Sequence, residues 1–264
     1  MKRVLMLIVS LVSAASLASA ANNVSYTATG DPNGSPDGVD QSASPVNVWT
    51  VTTTPGATGS DGSGSFFGQP NGAPNLGDAW QLYSYQNSGT GNGGSAYANT
   101  TFAGGALAIG QTVSIGFEMR ALDNPNNGNP STSGQAGLSL LNGSGNAITF
   151  YIYGGGPGNY FYTDAGSTAA NAGPMTYQYQ NPFTIAFTVT GASTYNAVAG
   201  SDSWSGTYSG SLVGMQVFDI KGGNGSDVGF NNLAIVPEPS TVGLVAGGLV
   251  MLLGSQRRRR IRRS

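Results

Sequence analysis

Short segments of alternating apolar and polar residues run through the middle of this 264-residue chain, separated by clusters of turn-forming residues. In residues 112–121 every second side chain is apolar, from Val113 to Ala121, while Glu118 and Arg120 occupy alternate polar positions. Because successive side chains of a strand point to opposite faces, this pattern predicts a strand with one buried face and one wet face.

Residues 147–153 alternate in the same way and follow the apolar residues 138–141 after an Asn142-Gly143 pair, which predicts a hairpin. Further candidate strands are residues 46–52, 79–85, 159–163, 175–179, 183–190, 215–221 and 227–236. About ten short strands separated by turn signals predict an all-β fold, an antiparallel sandwich of two sheets.

The composition supports this fold class. The chain has 42 Gly and 13 Pro, with 8% charged residues, and Gly, Asn, Ser and Thr all disfavour helix interiors. The many aromatic residues argue against disorder. Residues 29–46 and 53–76 show no sustained period, so we expect loops there, and 21–76 is interpreted as a loop-rich lead-in to a single body spanning 21–236.

Both ends of the chain have the features of membrane-directed segments. A basic start, an apolar stretch at 4–17 and Ala18-Ser19-Ala20 predict a signal peptide over 1–20, cleaved before Ala21. The apolar residues 241–254 predict one short C-terminal transmembrane helix. The arginines that follow are expected to stop transfer on the cytoplasmic side; they are Arg257, Arg258, Arg259, Arg260, Arg262 and Arg263.

The residues 237–264 resemble a known sorting signal. Pro237-Glu238-Pro239, a Gly-rich apolar segment and a terminal Arg run are similar to the PEP-CTERM family of exported bacterial proteins. The resemblance implies recognition of the tripeptide by an exosortase-type processing enzyme and transient anchoring in the inner membrane. It also implies final location at the cell surface or in the extracellular matrix.

The body resembles a second family. Residues 138–143, 150–156 and 228–235 are similar to parts of concanavalin-like, or laminin-G-like, sandwiches, with Asn231 where those domains often have Asp. The resemblance implies a jelly-roll arrangement of the two sheets and transfers no binding site.

Charge and missing residue types exclude several functions. Between residues 21 and 236 only Arg120 and Lys221 are basic, against eleven Asp and Glu, so the net charge of the body is 2 − 11 = −9. Such a body cannot neutralise a phosphate backbone, so no nucleic acid is expected as a partner. The chain has no Cys and no His, which excludes disulfides, the usual zinc ligand sets and His-dependent nucleophilic catalysis.

We expect no catalytic residues. Glu118 is the only Glu of the body, and its strand lacks the Glu-x-Asp-x-x-Glu run of sandwich glycosidases of family 16. A glycosidase needs two facing carboxyl groups. Glu118 is expected instead to pair with Arg120 or to be solvated.

Tyrosines suggest a glycan-binding surface. Four pairs occur at i, i+2, which places both rings of a pair on one strand face; the pairs are Tyr83 with Tyr85, Tyr151 with Tyr153, Tyr160 with Tyr162, and Tyr177 with Tyr179. Tyr151 and Tyr153 are the foremost candidates for stacking on sugar rings, and Trp49, Trp80 or Trp204 would add to this from loops. The alternative is that aromatic pairs only stabilise the sandwich.

Calcium is the one cofactor considered. Asp31, Asn33, Asp37 and Asp40 present oxygen atoms at spacings that suit a hard cation, although Asx, Pro and Gly are also ordinary turn residues. The sequence thus predicts an exported, non-catalytic envelope or matrix protein. The alternative is a polysaccharide-binding module, and a carbohydrate-active hydrolase is a distant third.

Overall fold

The computed structural model describes residues 24–25, 38–39, 48–54, 62–68, 76, 79–85, 94–120, 134–153, 159–168, 170–176, 181–220 and 227–237. Within these ranges it contains sixteen strands and no helix. In chain order the strands are β1 (Val24–Ser25), β2 (Gly38–Val39), β3 (Val48–Thr54), β4 (Gly62–Gly68), β5 (Ala79–Tyr85), β6 (Ser95–Thr101), β7 (Gln111–Arg120), β8 (Gln135–Asn142), β9 (Gly145–Tyr153), β10 (Asn159–Thr163), β11 (Ala170–Thr176), β12 (Phe183–Gly191), β13 (Thr194–Ala199), β14 (Asp202–Thr207), β15 (Gly214–Ile220) and β16 (Asp227–Pro237).

The strands form two eight-stranded antiparallel sheets. The first sheet has the order β14-β13-β12-β7-β16-β5-β4, with β1 paired to β16, and the second has the order β11-β10-β9-β8-β15-β6-β3-β2. This arrangement confirms the two-sheet antiparallel sandwich. The signal peptide and the C-terminal span fall outside the described residues. None of the described residues belongs to a helix long and apolar enough to cross a membrane.

Apolar side chains from both sheets fill the space between them. Phe150 of the second sheet is fully buried and packs near Phe183 and Trp204 of the first, with ring centroids 6.2 Å and 5.7 Å away. Trp49 and Trp80 are each 1% exposed, and both contact Phe230, at 5.1 Å and 6.0 Å. The expectation that the three Trp side chains project from loops is therefore wrong, because all three lie on strands and pack into the core.

A polar contact between Ser84 and Asp219 joins the two sheets within this core. Ser84 of β5 donates two hydrogen bonds to Asp219 of β15, from its backbone N–H to Oδ2 at 3.1 Å and from its hydroxyl to Oδ1 at 2.7 Å. Both residues are fully buried. A buried carboxyl group that accepts hydrogen bonds in this way fixes the position of one sheet relative to the other.

The observed strands agree with the sequence pattern where one face is strongly apolar. Strands β5 and β10 have the predicted bounds, and the predicted hairpin is formed by β8 and β9. Its turn is closed by the Ser144 N–H, which donates to Asn142 Oδ1 at 2.8 Å. The alternation predicts no strand at β4, β6, β13 or β14, and β4 lies within 53–76, where a loop was expected.

Strand β16 lies in the middle of the first sheet, between β7 and β5. Its register with β7 shifts between Asn231 and Ala234, where Asn232 has a φ of 55° and donates its N–H to Asn231 Oδ1 at 2.7 Å. This bulge allows the strand to continue to Pro237, which pairs with Gln111. The first residue of the Pro-Glu-Pro motif therefore ends a central strand.

Candidate functional site

Four aromatic residues and one glycine, from five strands of the second sheet, form one row across its outer face. Tyr97 of β6 pairs with Phe218 of β15, Phe218 with Gly137 of β8, Gly137 with Tyr151 of β9, and Tyr151 with Phe161 of β10. We call these five residues the aromatic row. Their neighbours along the strands, such as Leu138 and Phe150, are core residues, so the row lies on the face directed away from the core.

Three rings form a compact cluster at one end of this row. The centroid of Phe161 lies 6.1 Å from that of Tyr151 and 5.0 Å from that of Tyr153, and the two Tyr centroids are 6.4 Å apart. All three side chains are partly exposed. We call Tyr151, Tyr153 and Phe161 the aromatic cluster. The structure thus places the two tyrosines singled out by their spacing side by side and adds Phe161 from the neighbouring strand.

The phenol group of Tyr151 stays protonated at physiological pH. Burial raises the pKa of Tyr151 above its ordinary value of 10.0, and the adjacent Tyr153 raises it further. A neutral phenol both donates and accepts hydrogen bonds, whereas a phenolate only accepts. Tyr151 therefore presents an uncharged ring and a hydroxyl donor to this face.

A row of polar side chains lies beside the aromatic row, two residues along each strand. Asn99, Gln216, Ser139 and Thr149 occupy directly paired positions on β6, β15, β8 and β9. Gln216 Nε2 donates to Asn99 Oδ1 at 2.7 Å, and the Ser139 and Thr149 hydroxyl oxygens are 2.9 Å apart. We call these four residues the polar row. Each amide has further donors and acceptors beyond these bonds.

Gly137 interrupts the rings at the centre of the aromatic row. A Cβ atom at this position would lie 2.1 Å from the Phe150 carbonyl oxygen and 2.7 Å from the Tyr151 Cα. No side chain fits there without moving the backbone of β9. Gly137 is itself buried, as is Phe218, which is 4% exposed, so the partly exposed rings of the row are those of Tyr97, Tyr151 and Phe161.

The other tyrosine pairs are placed differently. Tyr160 and Tyr162 point into the sandwich, where Tyr160 stacks on Phe150 at 4.8 Å and Tyr162 on Trp204 at 5.4 Å. Tyr83 is partly exposed on the outer face of the first sheet. The side chain of Tyr85 and the pair Tyr177 with Tyr179 lie outside the described residues.

Glu118 lies on the outer face of the first sheet but is only 1% exposed. Leu76 covers this part of β7, since a Cβ at Gly116 would lie 3.0 Å from Leu76 Cδ1. Burial raises the pKa of Glu118 to about 7, and the backbone of Leu76 opposes part of that rise. Neither carboxyl oxygen has a hydrogen-bond partner of good geometry among the described residues.

The expectation that Glu118 is solvated is therefore wrong, as is the expectation of a wet face along all of this strand. The cause is the contact of Leu76 with this part of β7, which no pattern within β7 reveals. The side chain of Arg120, the other proposed neighbour, lies outside the described residues. In register, Glu118 pairs with Gly229, and Gly229 pairs with Gln81, which is also buried.

The remaining candidate residues lie almost entirely outside the described part of the chain. This applies to Asp31, Asn33, Asp37 and Asp40, to Ala18, Ala20 and Ala21, to Glu238 and Pro239, and to the six C-terminal arginines. Within the described ranges, no three His, Cys, Asp or Glu side chains are grouped so that they would hold a metal ion. Calcium binding at residues 31–40 stays a prediction.

No protein-family model and no curated protein sequence matches the chain. Among solved structures, it is similar to an alginate lyase from Corynebacterium sp., with 12% identity, 60% of this chain and 76% of that chain covered, and a TM-score of 0.43. A galectin, LEC-6, from Caenorhabditis elegans matches with 12% identity over 52% of this chain and 88% of that chain, with a TM-score of 0.35. The binding domain of botulinum neurotoxin serotype D matches with 8% identity over 88% of this chain and 53% of that chain, with a TM-score of 0.47. At these identities and scores the likenesses assign no function.

Proposed function

We propose that this chain is an exported, non-catalytic polysaccharide-binding protein whose ligand lies on the outer face of the second sheet. The observation that carries the proposal is the aromatic cluster, in which Tyr151, Tyr153 and Phe161 lie within 6.4 Å of one another on a partly exposed face. The sequence alone favoured an envelope or matrix component with no stated ligand. The position of these rings favours the binding alternative.

The chemistry of the face suits a sugar. A pyranose ring has a face of C–H groups that packs on aromatic rings, while its hydroxyl groups lie at its edge and need hydrogen-bond partners. Aromatic side chains supply large apolar contact areas, and the Tyr rings keep a polar group at the tip. Asn99, Gln216 and Thr149 of the polar row are partly exposed and supply amides and a hydroxyl parallel to the rings, as ligand sites that orient a substrate commonly do, whereas Ser139 is buried.

A purely structural role for these rings is the competing explanation. Cross-strand pairs on a sheet surface contribute about 0.2–1 kcal/mol each to stability, whatever the protein binds. The core of this sandwich already contains many aromatic residues, Phe150 and Tyr160 among them, that do not depend on the outer cluster. A purely structural role therefore predicts a small loss of stability when one outer ring is removed, whereas a binding role predicts a loss of ligand retention.

Replacement of Tyr151 or Phe161 by alanine is expected to lower retention of the full-length chain on an immobilised polysaccharide by about fivefold or more, because loss of a hot-spot contact costs over about 1 kcal/mol. The measurement is affinity electrophoresis or retention against a panel of polysaccharides. Tyr83→Ala is the matched control, since Tyr83 is a partly exposed strand tyrosine on the opposite outer face.

Equal losses for the Tyr83 and Tyr151 variants, or no retention of any polysaccharide by a chain shown to be folded, would contradict the proposal. Release of reducing ends from a retained polysaccharide would contradict its non-catalytic part. Retention is to be compared with and without a chelator, and a loss with chelator would support calcium at residues 31–40.

Sorting through the C-terminal tail is part of the same proposal. The resemblance of the tail supports processing by an exosortase-type enzyme, and β16 ends at Pro237, the first residue of the motif. Processing there would leave the central strand of the first sheet in the body. We expect mass spectrometry of the exported protein to show a mature start at Ala21 and the loss of residues 241–264. An exported chain that keeps its terminal arginines would contradict this.

A further inference from the structure

We infer that Asp164 is a positioning residue for the aromatic cluster, because it ties the end of β10 to the first sheet and so fixes Phe161 beside Tyr151 and Tyr153. The role of Asp164 in ligand binding rests on the proposed function and deepens it. Its role in the arrangement of the three rings does not depend on any ligand and can be measured without one.

Strand β10 contributes Phe161 to the cluster but has a short ladder. It has five residues and pairs with β9 at three positions, from Phe161 to Thr163. On its other side, the register with β11 shifts between Asn159 and Phe161. Such a shift marks a local disruption of the ladder. Contacts with the first sheet therefore matter for the position of this strand.

Asp164 directly follows β10 and continues the alternation of its side chains. Phe161 is on the outer face, whereas Tyr162 faces the core and stacks on Trp204 of β14 at 5.4 Å. Asp164 comes two residues after Tyr162, so it lies on the same side of the chain, towards the first sheet. Its carboxyl group reaches β13 and β14, two neighbouring strands of that sheet.

The carboxyl oxygens of Asp164 accept hydrogen bonds from both sheets. Oδ2 accepts from the Tyr195 hydroxyl at 2.9 Å and from the Thr207 N–H at 3.2 Å. Oδ1 accepts from the Gly166 N–H at 2.8 Å, within the turn after β10. The Ala165 N–H also donates to the Thr207 carbonyl oxygen at 3.0 Å. The turn that ends β10 is therefore bonded to two strands of the opposite sheet.

Two residues of the first sheet are shaped for this contact. Tyr195 is 1% exposed, so its hydroxyl has left water and needs a partner within the protein. Burial raises the pKa of Tyr195 above its ordinary value of 10.0, and the hydroxyl stays a donor. Gly206 leaves the space for the carboxyl group, since a Cβ atom there would overlap Asp164 Oδ2 and lie 2.6 Å from the Tyr195 hydroxyl oxygen.

The position of Phe161 follows from this anchor. Phe161 lies three residues before Asp164, about 10 Å along an extended strand. Tyr151 and Tyr153 lie on β9, which is paired along its length with β8 and does not depend on the anchor. A displaced end of β10 would move the Phe161 ring relative to the two tyrosines. Binding groups have to be held to within about 0.5 Å, so such a shift is expected to weaken binding.

The first test is an NMR comparison of full-length chains labelled at their aromatic rings, without ligand. In Asp164→Ala we expect the nuclear Overhauser effect between Phe161 and Tyr153, whose centroids are 5.0 Å apart, to weaken or disappear. The effect between Trp49 and Phe230, whose centroids are 5.1 Å apart, should remain and show that the sandwich is folded. Tyr195→Phe removes one hydrogen bond of the anchor and keeps the ring, so a smaller change in the same direction is expected.

Asn142→Ala is the matched control. Asn142 Nδ2 donates to the Ser209 carbonyl oxygen at 2.7 Å, so this side chain also ties the end of a strand to another segment. It pairs with Gly145, six residues before Tyr151 and thus about 20 Å away along β9. We expect this variant to leave the contact between Phe161 and Tyr153 unchanged.

The second test measures retention on the polysaccharide for which Tyr151→Ala lowers retention. We expect Asp164→Ala to lower this retention by about threefold or more, as for residues coupled through one network, and Asn142→Ala to leave it unchanged. Tyr195→Phe should lower it less.

An unchanged contact between Phe161 and Tyr153 in folded Asp164→Ala would overturn the inference and leave the proposed function standing. If Asp164→Ala does not fold, an unchanged contact in Tyr195→Phe has the same meaning. Equal losses of retention for Asp164→Ala and Asn142→Ala would also overturn the positioning role. A ring contact that depends on Asp164, without any Tyr151-dependent retention, would support the anchor and overturn the proposed function.

Discussion

Replacement of Phe150 by alanine is expected to lower the free energy of unfolding by about 3–5 kcal/mol, the range found for buried Phe residues. Phe150 is fully buried and lies between two parallel rings, with Tyr160 at 4.8 Å and Trp204 at 5.7 Å. Phe183 contacts it edge-on at 6.2 Å. The loss is large because the alanine leaves a cavity between the two sheets that three rings line.

Denaturant unfolding followed by tryptophan fluorescence measures this loss directly. Phe161→Ala is the matched control, since Phe161 lies on the adjacent strand but on the outer face, where removal of a ring is expected to cost about 1 kcal/mol or less. The two variants should also differ in ligand binding, because Phe161→Ala is expected to lose ligand retention. Equal destabilisation by the two substitutions would contradict the assignment of inner and outer faces.

The buried carboxyl of Glu118 is expected to make the sandwich less stable as the pH rises. Its pKa in the folded chain is about 7, against an ordinary value of 4.5. Between these two values the folded state holds a proton that the unfolded state has released, so the free energy of unfolding falls with increasing pH. A difference of this size corresponds to about 3 kcal/mol, present in full below pH 4.5 and lost above pH 7.

Glu118→Gln is expected to remove this pH dependence, because the amide keeps the shape of the side chain and does not ionise. The variant should be about as stable as the natural chain at pH 4 and more stable at pH 8, by up to about 3 kcal/mol. Thermal or denaturant unfolding of both chains across this range gives the difference. Glu118→Asp is the control, since it retains a titrating carboxyl. A constant difference between the Gln variant and the natural chain at all pH values would contradict the burial of Glu118.

Strands with a strongly apolar face could be predicted from the sequence, and those built from small or polar residues could not. In β7 every second residue from Val113 to Met119 is a large apolar residue of the core. In β6 the core positions are filled by Ala96 and Ala98, which give little contrast with the Ser and Thr between them. Strand β4 begins with Gly and Ser and, among the described strands, lies at the edge of its sheet beside β5.

The candidate site could likewise be predicted in part: spacing within one strand shows which residues share a face, but not which residues of other strands lie beside them. Spacing along β9 predicts that Tyr151 and Tyr153 share a face. Tyr160 and Tyr162 have the same spacing, but this pair faces the core. The reason is the register of β10 with β9, in which Phe161, between the two tyrosines, pairs with Tyr151 on the outer face. Tyr97 and Phe218 join the row only through the register of β6, β15 and β8, which is a property of the folded sheet.

The most direct test of the account is an NMR titration of the full-length chain, labelled at its tyrosine rings, with an oligosaccharide that the chain retains. Single Tyr variants assign the signals. The account predicts that the ring signals of Tyr151 and Tyr153 shift together and saturate at one ligand per chain, while Tyr83 is unaffected. A saturable shift of Tyr83, with Tyr151 and Tyr153 unchanged, would place the ligand on the other sheet and contradict the account.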